Sequence, residues 1–263
     1  MSFIVAGAAL LGLLAGPYIR ALANGFGPSE DLTVRTPAQP TPEGPEADRH
    51  EAADLAPEDP ADVHQDVARL DHGATRRASR EEARRAFRGM VRAVPRPAWP
   101  PVAETGVAVV CALVAWRFAG SWELAAWLYA ALAGCALAVI DWRTRRLPDA
   151  ITLPSYPILA VLLVPTGHLA GGLLGGLALT GAYAIMWFVR PDALGFGDVK
   201  LAGLVGMLTG ALGLDAWLVG ALAGQFLGAL YAVTLLLTRR ATAKTHFPLG
   251  PFILLGALAA TFR

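Results

Sequence analysis

The chain has 263 residues and a formal net charge of +1, a mean hydropathy of +0.47, and 16% charged residues where soluble domains carry about 25%. The balanced charge gives no global field for binding nucleic acid, and the two cysteines, Cys111 and Cys135, lie inside apolar runs with neither the number nor the spacing of a zinc knuckle or a disulfide framework. Fourteen of the 21 acidic residues fall between Glu30 and Glu82, and 11 of the 22 basic residues fall between Arg35 and Arg96, so the remainder is almost uncharged, the composition of a membrane protein with one polar insert.

Residues 1–27 are expected to form a first transmembrane helix. No basic residue precedes the apolar run Phe3–Leu14 and no convincing cleavage site follows it, which argues for a retained helix over a signal peptide. Residues 28–98 form a polar loop in two halves. The stretch 28–66 is acidic and Pro-rich (PAQPTPEGPEADRHEAADLAPEDPADV) and is expected to be disordered, because it has too few large apolar residues to form a core. The half from 67 to 97 is basic; RRASREEARRAFRGMVRAV (Arg76–Val94) has good helix formers, with Phe87, Met90, Val91 and Val94 approximating one face. It reads either as a solvated helix and positive ballast or as a helix lying on the anionic inner leaflet.

Residues 99–263 carry the remaining apolar stretches, at about 102–119, 123–140, 151–167, 169–189, 199–213, 216–237 and 247–262. With the first helix they predict an all-α, polytopic bundle of about eight transmembrane helices, several near the lower length limit for spanning. Gly-rich runs such as GGLLGGLALTG (Gly171–Gly181) suit close helix packing in lipid. The basic residues orient the bundle. With the N-terminus outside, the inner face receives Arg20, the 28–98 loop, Arg143, Arg145, Arg146, Arg190, Lys200, Arg239, Arg240 and Lys244, and the outer face only Arg117 and Arg263. The expected location is therefore the cell inner (plasma) membrane, multi-pass, with the loop on the cytoplasmic side.

Outside the loop seven acids remain: Glu104, Glu123, Asp141, Asp149, Asp192, Asp198 and Asp215. Glu123 and Asp215 fall on the outer face. Asp149 and Asp192 sit in turn contexts beside Pro148 and Pro191, and Glu104 opens a helix whose dipole favours it. Asp141 ends the run WELAAWLYAALAGCALAVID, and Asp198 begins DVKLAGLVGMLTG, at the same membrane depth and 57 residues apart in sequence. Acids at such a boundary usually face the bundle interior and serve function. If the two converge, repulsion and partial burial make double ionisation costly, so that the pair holds one proton. One ionised and one protonated carboxyl can activate a water and protonate a leaving amine, which hydrolyses a peptide without metal or cofactor.

The flanking residues fit this chemistry less specifically. Gly195 and Gly197 offer backbone freedom and room for a close approach, while Lys200, Arg143, Arg145 and Arg146 serve as anchors at the inner face or contact substrate or lipid phosphates. No Ser stands in a G-x-S-x-G elbow, and the five histidines lack ligand spacing. Acids in a membrane equally suit a non-enzymatic proton or cation transporter, although no convincing internal repeat is visible.

Three segments resemble the type IV prepilin peptidase family, GxGD-type intramembrane aspartic proteases. They are DWRTRRLPDAITLP (Asp141–Pro154), with its Pro148 turn, LGFGDVKLAGLVGMLTG from Leu194, and FPLGPFILLGALAA (Phe247–Ala260). The resemblance covers about residues 123–262. It implies that Asp141 and Asp198 are the catalytic pair and that Gly195, Gly197, Lys200 and Pro148 belong to the supporting motifs. It also implies cleavage of the short basic leader of type IV or Flp/Tad-like prepilins or pseudopilins at the cytoplasmic membrane face, with membrane lipid and no nucleic acid as the further surroundings. The same class also includes proteases with non-pilin substrates.

The N-terminal part departs from the pattern. AGPYIRALANGF (Ala15–Phe26) stands where bifunctional members carry a Gly-Ser-Phe-Leu-Asn-like stretch, and the loop has no Cys-x-x-Cys pair, so a structural zinc there lacks ligands. The resemblance implies no cofactor for proteolysis, and S-adenosylmethionine only if N-methylation of the mature pilin is retained.

Overall fold

A computed structural model describes residues 1–26, 77–91, 102–191, 194–239 and 247–263. The described residues are helical with no β-strand, and the all-α bundle expected from the sequence is borne out. In chain order the helices are α1 (Ser2–Asn24), α2 (77–91), α3 (Val102–Phe118), α4 (Glu123–Thr144), α5 (Asp149–Leu163), α6 (Leu169–Val189), α7 (Phe196–Ala211), α8 (Leu214–Leu237) and α9 (Gly250–Ala260). A 3₁₀ turn, Val164–Thr166, extends α5. The expectation of disorder over 28–66 lies outside the described residues.

Among the described residues five segments are long and apolar enough to cross a membrane: Ser2–Asn24, Glu123–Thr144, Asp149–Thr166, Leu169–Val189 and Leu214–Leu237. The protein is a multi-pass membrane protein. The other three apolar helices are shorter, at 17, 16 and 11 residues for α3, α7 and α9; at about 1.5 Å per residue, α9 reaches only part of the way across a hydrocarbon core of about 30 Å.

Short helices can stay in a bundle when neighbours cover them, and α7 is covered by the longer α6 and α8 and by α5 and α9. All residues from Leu201 to Thr209 on α7 are buried. Its contact with α6 is backbone on backbone: a Cβ at Gly206 would stand 2.5 Å from the Gly175 carbonyl oxygen, and one at Gly175 would stand 2.5 Å from that of Gly206. The Gly-rich run of α6 thus does what its composition suggests, letting two helices approach without intervening side chains.

A second tight pair joins α1 to α3, where a Cβ at Gly12 would meet the Ala108 backbone at 2.6 Å. Next along this seam, Arg20 of α1 forms an ion pair with Glu104, which is buried at 3% exposure. Glu104 is therefore a cross-helix partner as well as a residue of the first turn of α3. Arg143, at the end of α4, donates to the side chain of Asn24, which binds α1 to α4.

Helix α2 lies against the end of α1. Its buried residues are Ala83 and Ala86, with Met90 half-buried, whereas Phe87 and Val91 are exposed. The apolar face expected on Phe87, Met90, Val91 and Val94 is thus corrected to Ala83, Ala86 and Met90; Val94 lies outside the described residues. The reason is steric. A Cβ at Gly25 would stand 2.6 Å from the Ala86 Cα, and only alanines let α2 come so close.

Candidate active site

Asp141 and Asp198 come together at one end of the bundle. Both line a cavity of about 1670 Å³ formed between α2, the α4–α5 turn, the start of α5 and the start of α7. Asp141 sits in the last turn of α4 and is 4% exposed; Asp198 sits in the first turn of α7, is half-buried, and lies within electrostatic reach of Asp141.

Each carboxylate lies against the backbone at the start of a helix. Gly250, the first residue of α9, donates to Asp141 Oδ2 at 3.0 Å. Asp198 folds back over Gly195, the N-cap of α7, with its carboxyl close to that residue's backbone, while its own N–H donates to the Gly195 carbonyl at 3.0 Å. The helix dipoles of α7 and α9 add their positive ends to these contacts.

Of the two expectations for the motif's glycines, backbone freedom is not what they supply. Gly195 has φ −70°, a value open to any residue, and Gly197 is not among the positive-φ glycines. What they supply is space. A Cβ at Gly195 would stand 3.2 Å from Asp198 Oδ2, and one at Gly197 would stand 3.0 Å from the Leu147 Cβ of the α4–α5 turn. Gly197 thereby lets the turn after Asp141 close against the helix that carries Asp198.

Pro148 is the N-cap of α5, and its carbonyl accepts from the N–H groups of Ile151 and Thr152. Lys200 does not approach the carboxylates as a free cation: its Nζ donates to Asp149 Oδ1 at 2.6 Å and lies 4.9 Å from the centre of the Phe196 ring. Its backbone carbonyl accepts from the Tyr156 hydroxyl at 2.7 Å, which fixes the first turn of α7 to α5. The Arg143–Arg145–Arg146 cluster divides, because Arg143 turns to Asn24 while Arg145 and Arg146 line the cavity. Arg145 is in the left-handed region at φ 52°, which ends α4 abruptly and starts the turn.

Gly250 was not singled out from the sequence as a site residue, although FPLGP carries the signal: a Gly before a Pro at a helix start leaves an N–H free to donate. Buried Tyr183 of α6, within electrostatic reach of Asp198, was also missed. A tyrosine inside an apolar run gives no sign of its neighbours. Cys111 and Cys135 are unpaired thiols away from this cavity, and among the described residues no three His, Cys, Asp or Glu side chains gather to hold a metal.

Comparison with known proteins gives one consistent result. Residues 127–233 match the type IV leader peptidase family. A prepilin leader peptidase/N-methyltransferase of Pseudomonas putida is 32% identical over 160 residues, covering 58% of this chain and 54% of the relative. A protein of the same description from Stutzerimonas stutzeri is 28% identical over 61% of this chain and 57% of the relative, and one from Bacillus subtilis is 29% identical over 61% and 64%. The chain thus spans little more than half the length of the first two relatives. No solved structure matches it. The matched stretch contains both Asp141 and Asp198, and over residues 127–233 the chain is similar to the type IV leader peptidase family.

Proposed function

We propose that the protein is a membrane aspartic endopeptidase that removes the leader of type IV prepilin-like proteins at the cytoplasmic membrane face, with Asp141 and Asp198 as its catalytic pair. The observation that carries this reading is the convergence of these two carboxyls on one cavity at the ends of α4 and α7. The cavity is larger than the roughly 300–1000 Å³ of small-molecule sites and suits a length of peptide. The distribution of basic residues supports the orientation. Among the described residues the end carrying the pair has Arg20, the α2 arginines, Arg143, Arg145, Arg146, Arg190, Lys200 and Arg239, against Arg117 and Arg263 at the other. The N-terminus is then outside and residues 28–98 form the cytoplasmic loop ahead of a catalytic unit in 99–263.

The substrate's apolar helix lies in the bilayer, which places its scissile bond at the depth of the pair. The ionised carboxyl takes a proton from water as the water oxygen bonds to the peptide carbon, and the protonated carboxyl gives its proton to the carbonyl oxygen. When the resulting diol collapses, one hydroxyl returns its proton to the second carboxyl, the first carboxyl delivers its proton to nitrogen, and the C–N bond breaks. The backbone donor of Gly250 keeps the Asp141 carboxyl in place through this exchange. A transporter reading is less well supported, because the acids sit at helix ends on a wide cavity and not at a midplane break.

The test is co-expression with a prepilin, comparing the wild type with Asp141→Asn and Asp198→Asn. Each variant is expected to reach the membrane and to lose leader cleavage by about 10²–10⁴-fold, the usual range for a general acid or base. Full processing by either variant would overturn the assignment. Mass spectra of the mature N-terminus read methylation in the same samples; nothing in Ala15–Phe26, which here ends α1, is assigned to S-adenosylmethionine.

A further inference from the structure

Helix α2 presents two distinct faces. Ala83 and Ala86 pack on the end of α1, and Arg80, Arg84 and Arg88, spaced four apart, line the cavity over the two aspartates. Arg145 and Arg146 line it from the α4–α5 turn. Arg77 and Arg85 of the same helix do not line it, and Arg85 pairs with Glu81.

Among the described residues four acids line this cavity, Glu82, Asp141, Asp149 and Asp198, against six cations, Arg80, Arg84, Arg88, Arg145, Arg146 and Lys200, so its arginines are not balanced. Lys200 takes Asp149, and Arg88 Nε donates to the Arg84 carbonyl at 3.2 Å. Among the described residues Arg80, Arg84, Arg145 and Arg146 are exposed and have no acidic partner. Cations retained only to orient the chain need share no direction. These four come from two elements and converge on one cavity, which raises its potential unless an anion enters.

We infer that an anionic phospholipid docks its headgroup phosphate in this cavity, between Arg80 and Arg84 of α2 and Arg145 and Arg146 of the α4–α5 turn. Guanidinium groups match phosphate oxygens with paired N–H donors. The cavity opens at the ends of the membrane helices, the depth of a headgroup, and under the proposed orientation it faces the anionic leaflet. The bound phosphate neutralises an entrance that otherwise repels a basic leader, a consequence that rests on the proposed function, whereas the lipid site itself does not.

The experiment is native mass spectrometry of the full chain in detergent, with phosphatidylglycerol or phosphatidylcholine added. Arg80→Gln/Arg84→Gln is compared with Arg77→Gln/Arg85→Gln, which removes the same charge from the same helix away from the cavity. The wild type and the second pair of substitutions are expected to retain phosphatidylglycerol, and the first to bind it roughly thirtyfold more weakly (about 2 kcal/mol). Arg145→Gln/Arg146→Gln lies outside α2, is expected to show the same loss, and carries the test if the α2 variant unfolds that helix. Equal weakening by cavity and control variants, no weakening by either cavity variant, equal retention of phosphatidylcholine, or displacement of the lipid by an equal concentration of inorganic phosphate would each overturn the site. Binding is read without any cleavage, so an inactive protein that still holds the lipid separates this inference from the peptidase reading.

Discussion

Gly250 and Asp141 are 109 residues apart in sequence and joined by one hydrogen bond, from the backbone N–H of the first residue of α9 to Oδ2 at 3.0 Å. The contact tolerates nothing larger than hydrogen at Gly250, since a Cβ there would stand 2.8 Å from the same oxygen and 3.4 Å from Leu201 Cδ2. A short helix at the end of the chain thereby sets the position of a carboxyl at the end of α4.

Gly250→Ala is therefore expected to slow leader cleavage by roughly a hundredfold, the cost of moving a reacting group by about 1 Å, while the protein still reaches the membrane and binds prepilin. Initial rates and substrate capture on the same preparation check it. Gly195→Ala is expected to be milder, because its φ of −70° suits alanine and its Cβ would meet Asp198 Oδ2 at 3.2 Å. Equal activity of Gly250→Ala and wild type would show that α9 does not position the carboxyl.

The bundle was legible in the sequence because apolar runs of near-spanning length leave the chain few alternatives; the expected stretches 102–119 and 169–189 became Val102–Phe118 and Leu169–Val189. Asp141 and Asp198 were legible as the acids at the ends of such runs. What the sequence withheld was pairing across the chain. Glu104 looked like a dipole-favoured residue of a helix start, and its ion pair with Arg20 depends on how α1 and α3 pack. The face of α2 was misread for a similar reason: hydrophobicity picked Phe87 and Val91, whereas the close approach of Gly25 selected the smaller Ala83 and Ala86. Gly195 and Gly197 stood out by motif, but the space they give to Asp198 and Leu147 emerged only with the helices assembled.

Lys200 and Asp149 form an ion pair at 2.6 Å, with side chains 23% and 56% exposed. Pairs so open to solvent contribute about 0–1 kcal/mol. Asp149→Asn is accordingly expected to leave cleavage within a few-fold of wild type and to lower thermal stability little. Loss comparable to that of Asp141→Asn, measured in parallel, would assign Asp149 a direct part in the chemistry.

The α6–α7 seam predicts a contrast between glycines. Gly206→Ala would force a Cβ to within 2.5 Å of the Gly175 carbonyl oxygen, and overpacking of this kind costs about 1–3 kcal/mol. Gly181→Ala, in the same α6 helix, meets nothing within 4 Å and is expected to be neutral or slightly stabilising through its better helix propensity. Thermal unfolding in one detergent compares the two. Similar midpoints for both variants would mean that the helices can separate without cost.

The shared-proton mechanism fixes the shape of the pH profile. Below the lower apparent pKa of the pair both carboxyls are protonated and neither can take a proton from water. Above the higher one both are ionised and neither can protonate the carbonyl oxygen. The cleavage rate is therefore expected to rise and then fall with pH, each limb reporting a value that belongs to the pair and not to one residue. Asp141→Asn and Asp198→Asn should remove the peak, since an amide supplies neither role, and should do so without changing the circular dichroism of the bundle. The measurement is the initial rate of leader release from a detergent-solubilised prepilin across the pH range in which the wild type stays folded. A rate that climbs to a plateau and stays there would require only a base, and the second carboxyl would then have to be assigned to substrate binding.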